Sequence, residues 1–331
     1  MDRRTFVAAV ASGLCTAPLP TRAQHAGKVV RIGLLGSGVL RTDAEFRQSN
    51  WAQAMRELGW VEGQNVVYER RASNGRPELL PELARELVRA GVDVIATFSS
   101  PDTQAVKQAT SAIPIVMVFS GLDPVAEGFV ASFAKPGGNI TGVSRMLAET
   151  DAKRLSLLKE MLPSASRIGV LFYSSGDAEA KSRFERRMRA AARDIQVEPQ
   201  FLTYRNSDDL DAAMPAMANA RVQAFVLEPH FLAFRHRVRI AELALLHRLP
   251  GAFTLREYAE AGGLLSYGPD YPALERQHAR YVDRILRGAR PGELPIEQPT
   301  KFELVVNGKT AKALGIAIPE PLRLRADEVI Q

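Results

Sequence analysis

Cysteine is almost missing: Cys15 is the one thiol in 331 residues. It falls in an N-terminal segment with the pattern of a removable leader. The rest of the chain therefore has no disulfide, no thiolate metal site and no thiol nucleophile. Histidine is scarce too, with five in all. His230 and His236 are six residues apart, which is not one face of a helix. His247 and His278 fall on helical stretches, and His25 lies beside the expected cleavage site. No three of them stand at metal-ligand spacing, so no metal and no cofactor is expected. Gly36-Ser37-Gly38 opens like a dinucleotide fingerprint, but no third glycine follows at the required spacing. No phosphate loop ends in Gly-Lys-Ser/Thr, and no serine sits in a G-x-S-x-G elbow. No catalytic residue is assigned.

Long hydrophobic runs are also lacking. Phe6 to Leu19 is the longest weakly apolar stretch, and its span of about 14 residues falls short of the roughly 20 needed to cross a bilayer. Arg3 and Arg4 precede it and Thr21-Arg22-Ala23 follows, which reads as a signal peptide over residues 1–23, cleaved before Gln24, and hence a periplasmic location. The paired arginines followed by Thr5 and Phe6 fit twin-arginine export as well as the general route. A lipid anchor at Cys15 is not expected, because Leu14 stands where acylation sites require a small residue. The mature chain then has no transmembrane segment. Net charge is +6, and loss of Asp2, Arg3, Arg4 and Arg22 lowers it by two. The basic residues alternate with acids, as from Arg183 to Arg193, without the concentrated basic and aromatic patch of a nucleic-acid binder. No nucleic-acid partner is expected.

What is present is an alternation of short apolar runs with longer amphipathic ones, the signature of βαβ units. Strands are predicted at Val29–Leu35, Val66–Glu69, Val92–Phe98 and Ile115–Phe119, with helices at Phe46–Leu58, Pro77–Ala90 and Asp102–Thr110. The pattern then restarts: helices at Glu149–Leu162, Ala178–Asp194, Asp208–Ala220 and Phe231–His247 alternate with strands at Arg167–Tyr173, Pro199–Tyr204, Gln223–Leu227 and Gly251–Phe253. Continuous apolar strands imply parallel sheets with helices on both faces. The chain is therefore read as α/β with two Rossmann-like lobes. A short strand to Tyr267, a helix from Tyr271 to Arg287 and a strand from Phe302 to Val306 follow, and they are expected to return the chain to the first lobe.

In open parallel sheets ligands lie beyond the carboxyl ends of the strands. There the sequence places small hydroxyl residues in both halves: Ser37 after the first strand, Ser99 and Ser100 after the third, Ser120 with Asp123 after the fourth, and Ser174 with Ser175 in the second half. Glu228 and Tyr258 follow later strands. Hydroxyls and helix N-termini can hold a carboxylate, Asp123 and Glu228 can accept from an ammonium or sugar hydroxyls, and Phe119, Phe231 and Tyr258 can cover an apolar part. The same residue types cap helices and turns in any α/β protein. Only their recurrence in both halves argues for a shared cleft.

Trp60-Val61-Glu62-Gly63-Gln64-Asn65-Val66, Ile113-Pro114-Ile115-Val116, Asp123-Pro124-Val125 and Pro136-Gly137-Gly138-Asn139-Ile140-Thr141-Gly142-Val143-Ser144 stand in this order. Gly262 to Gly268, Gln298 to Val305, Lys309 to Gly315 and Arg325 to Ile330 follow. Together they resemble the ABC transporter substrate-binding protein family that includes tryptophan- and tyrosine-binding members. The resemblance implies the type I periplasmic binding protein fold, two lobes joined by a three-segment hinge. It implies an N-terminal lobe of residues 27–142 with about 268–298, and a C-terminal lobe of 143–267 with about 299–331. It also implies a receptor that closes on a small-molecule solute, an aromatic amino acid being the favoured guess, and delivers it unaltered to an inner-membrane ABC permease with its ATPase. A monomer is expected. A sensory module feeding a membrane receptor, and a periplasmic hydrolase on the same scaffold, are the alternatives.

Overall fold

The computed structural model describes residues 29–119, 123–174 and 178–331. The expected signal peptide lies outside the described residues. Two sheets organise the chain. The first contains β1 (Val30–Gly36), β2 (Val66–Ala72), β3 (Val94–Thr97), β4 (Ile115–Phe119) and β5 (Ile140–Ser144) in the order β2-β1-β3-β4-β5. Every pairing in it is parallel. The second holds β6 (Arg167–Tyr173), β7 (Glu198–Tyr204), β8 (Ala224–Leu227), β9 (Gly251–Phe253), β10 (Leu265–Pro269), β11 (Phe302–Asn307) and β12 (Glu328–Ile330). Its order is β12-β11-β10-β9-β8-β6-β7. Only the β10–β11 pairing is antiparallel.

The helices cover both faces of each sheet. Around the first run α1 (Asp43–Gln48), α2 (Asn50–Glu57), α3 (Leu80–Arg89) and α4 (Ser100–Ala109). Around the second run α5 (Leu147–Met161), α6 (Ala178–Asp194), α7 (Ser207–Asn219), α8 (Phe231–Arg235), α9 (Arg237–Leu246) and α10 (Arg256–Glu260). Then come α11 (Tyr271–Leu286), α12 (Gly308–Leu314) and α13 (Glu320–Arg325). Each sheet therefore has a hydrophobic cluster on either side. Ile32, Val94 and Val116 pack with α2 and α11 on one face of the first sheet, and Leu35, Ile95 and Met117 with α3 and α4 on the other. Each such fully buried aliphatic side chain contributes about 1.5–3 kcal/mol.

Two stretches read as single helices are each divided. The apolar spacing of 46–58 runs across Ser49, yet Ser49 is extended at φ −65°, ψ 147°, ending α1 and capping α2. Its hydroxyl accepts from Ala52 N and donates to Phe46 O, which offsets the broken helical ladder. His236, at φ −99°, ψ 15°, divides the stretch 231–247, ending α8 and opening α9 without a side-chain cap.

The chain passes between the sheets three times. Strand β5 stays in the first sheet through Ser144, so the chain leaves two residues beyond the expected boundary at 142. It crosses at Arg145 and at Met146, which is left-handed at φ 51° immediately before α5. It returns at Asp270, between β10 and α11. Helix α11 packs on the first sheet through Leu274, Val282 and Ile285. Residues 295–297 lie along β5, with Ser144 N donating to Glu297 O and Glu297 N to Gly142 O, before the last crossing into β11. Asp270 ties the second and third crossings together: its N–H donates to Lys301 O and its carboxylate accepts from Lys301 Nζ at 2.9 Å.

Candidate functional site

The carboxyl ends of the two sheets face one cavity of about 710 Å³, lined by residues of both. The strand ends and the loops after them supply most of its wall, as the geometry of open parallel sheets requires.

Ser37, Ser99 and Asp102 form a cluster in the first wall. Ser99 caps α4, its hydroxyl 3.4 Å from Asp102 N and 3.3 Å from the Ser37 hydroxyl. Ser37 Oγ donates to Asp102 Oδ1. Asp102 Oδ2 is buried without a partner. Burial pushes the Asp102 carboxyl up to about 6 against the opposing hydrogen bonds from the serines. Ser100 lines the cavity as the first residue of α4. Trp51, Phe98 and Tyr271 add aromatic surface. Trp51 is fixed from behind, its Nε1–H donating to His278 Nδ1 at 3.0 Å while His278 Nε2 donates to Val116 O at 2.9 Å. That pair of bonds sets a neutral imidazole, and burial holds His278 down to about 4.

The second wall is built from the ends of β6 and β8. Ser174 lines the cavity, its N–H held by Tyr204 O. Glu228 follows β8 and accepts from Tyr173 N at 3.3 Å. Burial, then the Asp151 charge, pushes its carboxyl up to about 7. His230 caps α8 through Nδ1, which accepts from Leu232 N, and its ring stacks on Tyr173 at 3.9 Å. Burial lowers its pKa to about 4. Tyr258 borders the cavity, but its ring is core, 2 % exposed and stacked on Phe253.

The fold thus brings Ser37, Ser99, Ser100, Ser174, Glu228 and Tyr258 to one cavity. It does not bring Asp123, whose carboxylate accepts from Val125 N and Ala126 N and caps its own turn. Asp123 has the residue type of a binding group, but its local backbone uses it first. Ser120, Ser175 and the Phe119 side chain lie outside the described residues.

Sequence reasoning missed the arginines. Arg145, at the first crossing, lines the cavity, donates from Nη2 to Phe98 O at 2.8 Å and lies over the Tyr271 ring. Arg187 on α6 lines the opposite wall and donates from Nη2 to Asp151. Asp151 also accepts from Arg154, and both are nearly inaccessible to solvent. Arg145 directly follows a strand, a signal that was available in the sequence. Arg187 lies among many arginines of an amphipathic helix, and nothing local distinguishes it. Among the described residues, no group of His, Cys, Asp and Glu could hold a metal ion.

Comparison with known proteins agrees with this architecture. A conserved domain protein of Vibrio cholerae superposes with a TM-score of 0.80 at 28 % identity, covering 91 % of this chain and all of that one. The ABC domain of Streptococcus pneumoniae in complex with L-Trp gives 0.78 at 24 % identity, covering 91 % and 99 % of the two chains. A Tyrosine-binding protein of Clostridioides difficile (strain R20291) is 25 % identical over 283 residues, 85 % of this chain and 79 % of that protein. The profile described as ABC transporter substrate binding protein matches residues 46–330. With two mainly parallel sheets enclosing one cavity and a family match over most of its length, the chain belongs to the ABC transporter substrate-binding proteins.

Proposed function

We propose that this protein is the extracytoplasmic receptor of an ABC importer, closing its lobes on a small aromatic solute and passing it unaltered to a membrane permease and its ATPase. One observation carries the reading. Buried polar atoms without a partner are rare in folded proteins. Here Asp102 Oδ2, Arg145 Nε, Arg187 Nε and Tyr258 Oη, half of the eight such side-chain atoms among the described residues, belong to residues of this one cavity. Polar demand that the fold leaves unmet is thus concentrated in the residues around this cavity.

The aromatic preference follows from Trp51, Phe98, Tyr173 and Phe231 in the same walls, and it agrees with the tryptophan- and tyrosine-binding relatives. Hinge closure about the three crossings moves the lobes as units, and a ligand bridging both walls shifts the population toward the closed form. Processing before Gln24 releases a monomer on the outer side of the membrane, which mass spectrometry of the exported protein and its size in solution check. None of the described helices is long and apolar enough to cross a membrane.

A thermal-shift screen of residues 24–331 against amino acids, sugars, carboxylates and purines tests the proposal. A ligand binding only the folded state stabilises it by RT ln(1 + [L]/Kd). Stabilisation by aromatic amino acids, with the compound recovered intact, is expected. Consumption of the compound would make the protein an enzyme instead.

A further inference from the structure

The loops after β1 and β2, at the rim of the cavity, are zipped to one another. Ser73 N donates to Gly36 O at 3.0 Å, Asn74 N to Gly38 O at 3.0 Å and Gly75 N to Ser37 O at 2.9 Å. The Ser73 hydroxyl also donates to Ser37 O, and the Asn74 side chain accepts from Leu40 N. Asn74 and Gly75 are left-handed in succession, at φ 53° and 80°, the backbone of a tight turn. The turn is tied to the cavity wall through Ser37, whose hydroxyl donates to Asp102.

The second lobe faces this turn with an aromatic row. The Tyr173 ring stacks on His230, and His230 lies 5.2 Å from Phe231, centroid to centroid. His230 caps α8, whose first residue is Phe231, so the ring is presented from a fixed helix end. Phe231 lines the cavity and reaches past it to the other lobe. A Cβ built on Gly75 would lie 2.5 Å from Phe231 Cζ and 2.8 Å from Cε1. Only a residue without a side chain leaves room there for the ring. Gly75 itself is not part of the cavity wall.

This contact differs in kind from any contact with a solute. Both of its partners belong to the protein, and opening about the three crossings parts them. Apolar surface leaves water when the ring meets the turn, which favours closure with or without a solute. A larger closed fraction raises the apparent affinity for every solute by the same factor.

We propose that Phe231 and Gly75 form a latch at the rim of the cleft, through which contact between the lobes holds part of the solute-free protein closed. Phe231 is thereby a positioning residue. It sets how much of a solute's binding energy closure consumes, and not which solute is chosen. The inference rests on the two lobes and their cleft, and it holds whatever the solute is.

Small-angle X-ray scattering of the mature protein without solute tests it, beside Phe231→Ala and Gly75→Asn. Asparagine tolerates the left-handed backbone while adding the Cβ that displaces the ring. Both variants are expected to show a larger radius of gyration than the parent. Circular dichroism and the melting temperature of each separate opening from unfolding. Unchanged radii in the folded variants overturn the proposal and leave the receptor reading intact. In titrations with L-tyrosine and L-tryptophan, Gly75→Asn is expected to weaken both by one factor, on the order of tenfold. Clearly unequal factors would mean that the site acts on the solute and not on closure, which also overturns the latch. If neither amino acid binds, the aromatic preference fails, and the scattering alone decides the latch.

Discussion

Phe231 occupies the space that a side chain on Gly75 would need: a Cβ placed on Gly75 lies 2.5 Å from Phe231 Cζ. Gly75 is in the loop after β2 of the first sheet, and Phe231 opens α8 beside the second. The contact therefore joins the two lobes. Gly75 is also left-handed at φ 80°, a conformation other residues adopt at a cost of about 1 kcal/mol.

Gly75→Ala should therefore lower both stability and solute affinity. The affinity loss should vanish when Phe231→Ala removes the ring, leaving only the backbone cost. A double-mutant cycle on the dissociation constant measures this coupling. Strict additivity of the two losses would mean that the contact plays no part in closure.

Asp151→Asn would leave Arg154 and Arg187 in a dry site without their counterion. Breaking a buried ion pair by removing one partner costs about 3–5 kcal/mol. Urea denaturation of the variant should show a loss of that size. A loss below about 1 kcal/mol would indicate that solvent reaches the triad and screens it as it screens a surface pair.

His278 gives a stability that depends on pH. Burial lowers its pKa to about 4 from an ordinary 6.5, so between those values the unfolded chain binds a proton that the folded chain refuses. Its contribution is fully present above pH 6.5 and is lost as pH falls toward 4. His278→Gln should be less stable than the parent at pH 7, and the gap should narrow by pH 5. Denaturation midpoints at the two pH values decide it, a constant gap counting against the depressed pKa.

Glu228 works in the opposite direction. Its carboxyl is pushed up to about 7 from 4.5, mainly by burial, so ionising it at higher pH costs folded-state stability. That cost is absent below pH 4.5 and is complete once pH has risen through 7. Glu228→Gln should therefore raise the melting temperature at pH 8 and leave it nearly unchanged at pH 4.5. An equal effect at both values would assign the change to packing instead.

Gly142 sits in β5 at φ 143°, directly against Met117 of β4. A Cβ there would run into the Met117 carbonyl oxygen and nitrogen. Gly142→Ala should cost on the order of 3 kcal/mol or more, since backbone cannot move aside as a flexible side chain can. Because Glu297 N also donates to Gly142 O, the loss should spread to the third crossing, where hydrogen exchange at Glu297 would rise.

The sequence by itself determined the two α/β sheets and the placement of serines at their carboxyl ends. Strands buried on both faces must be continuously apolar, and strand-to-helix turns need small capping residues, so both features are local and legible along the chain. Tertiary structure alone decided what faces the cavity. Asp123 has a binding group's chemistry but is consumed by its own turn, while Arg187, one arginine among several on α6, is selected by a buried aspartate 36 positions away. Trp51 and His278 meet across 227 positions. Periodicity reports which face of an element is buried, but not which distant element covers it. The charge balance of the cleft depends on that second fact, because an ion pair is set by distance in space and burial, neither of which one segment's sequence contains.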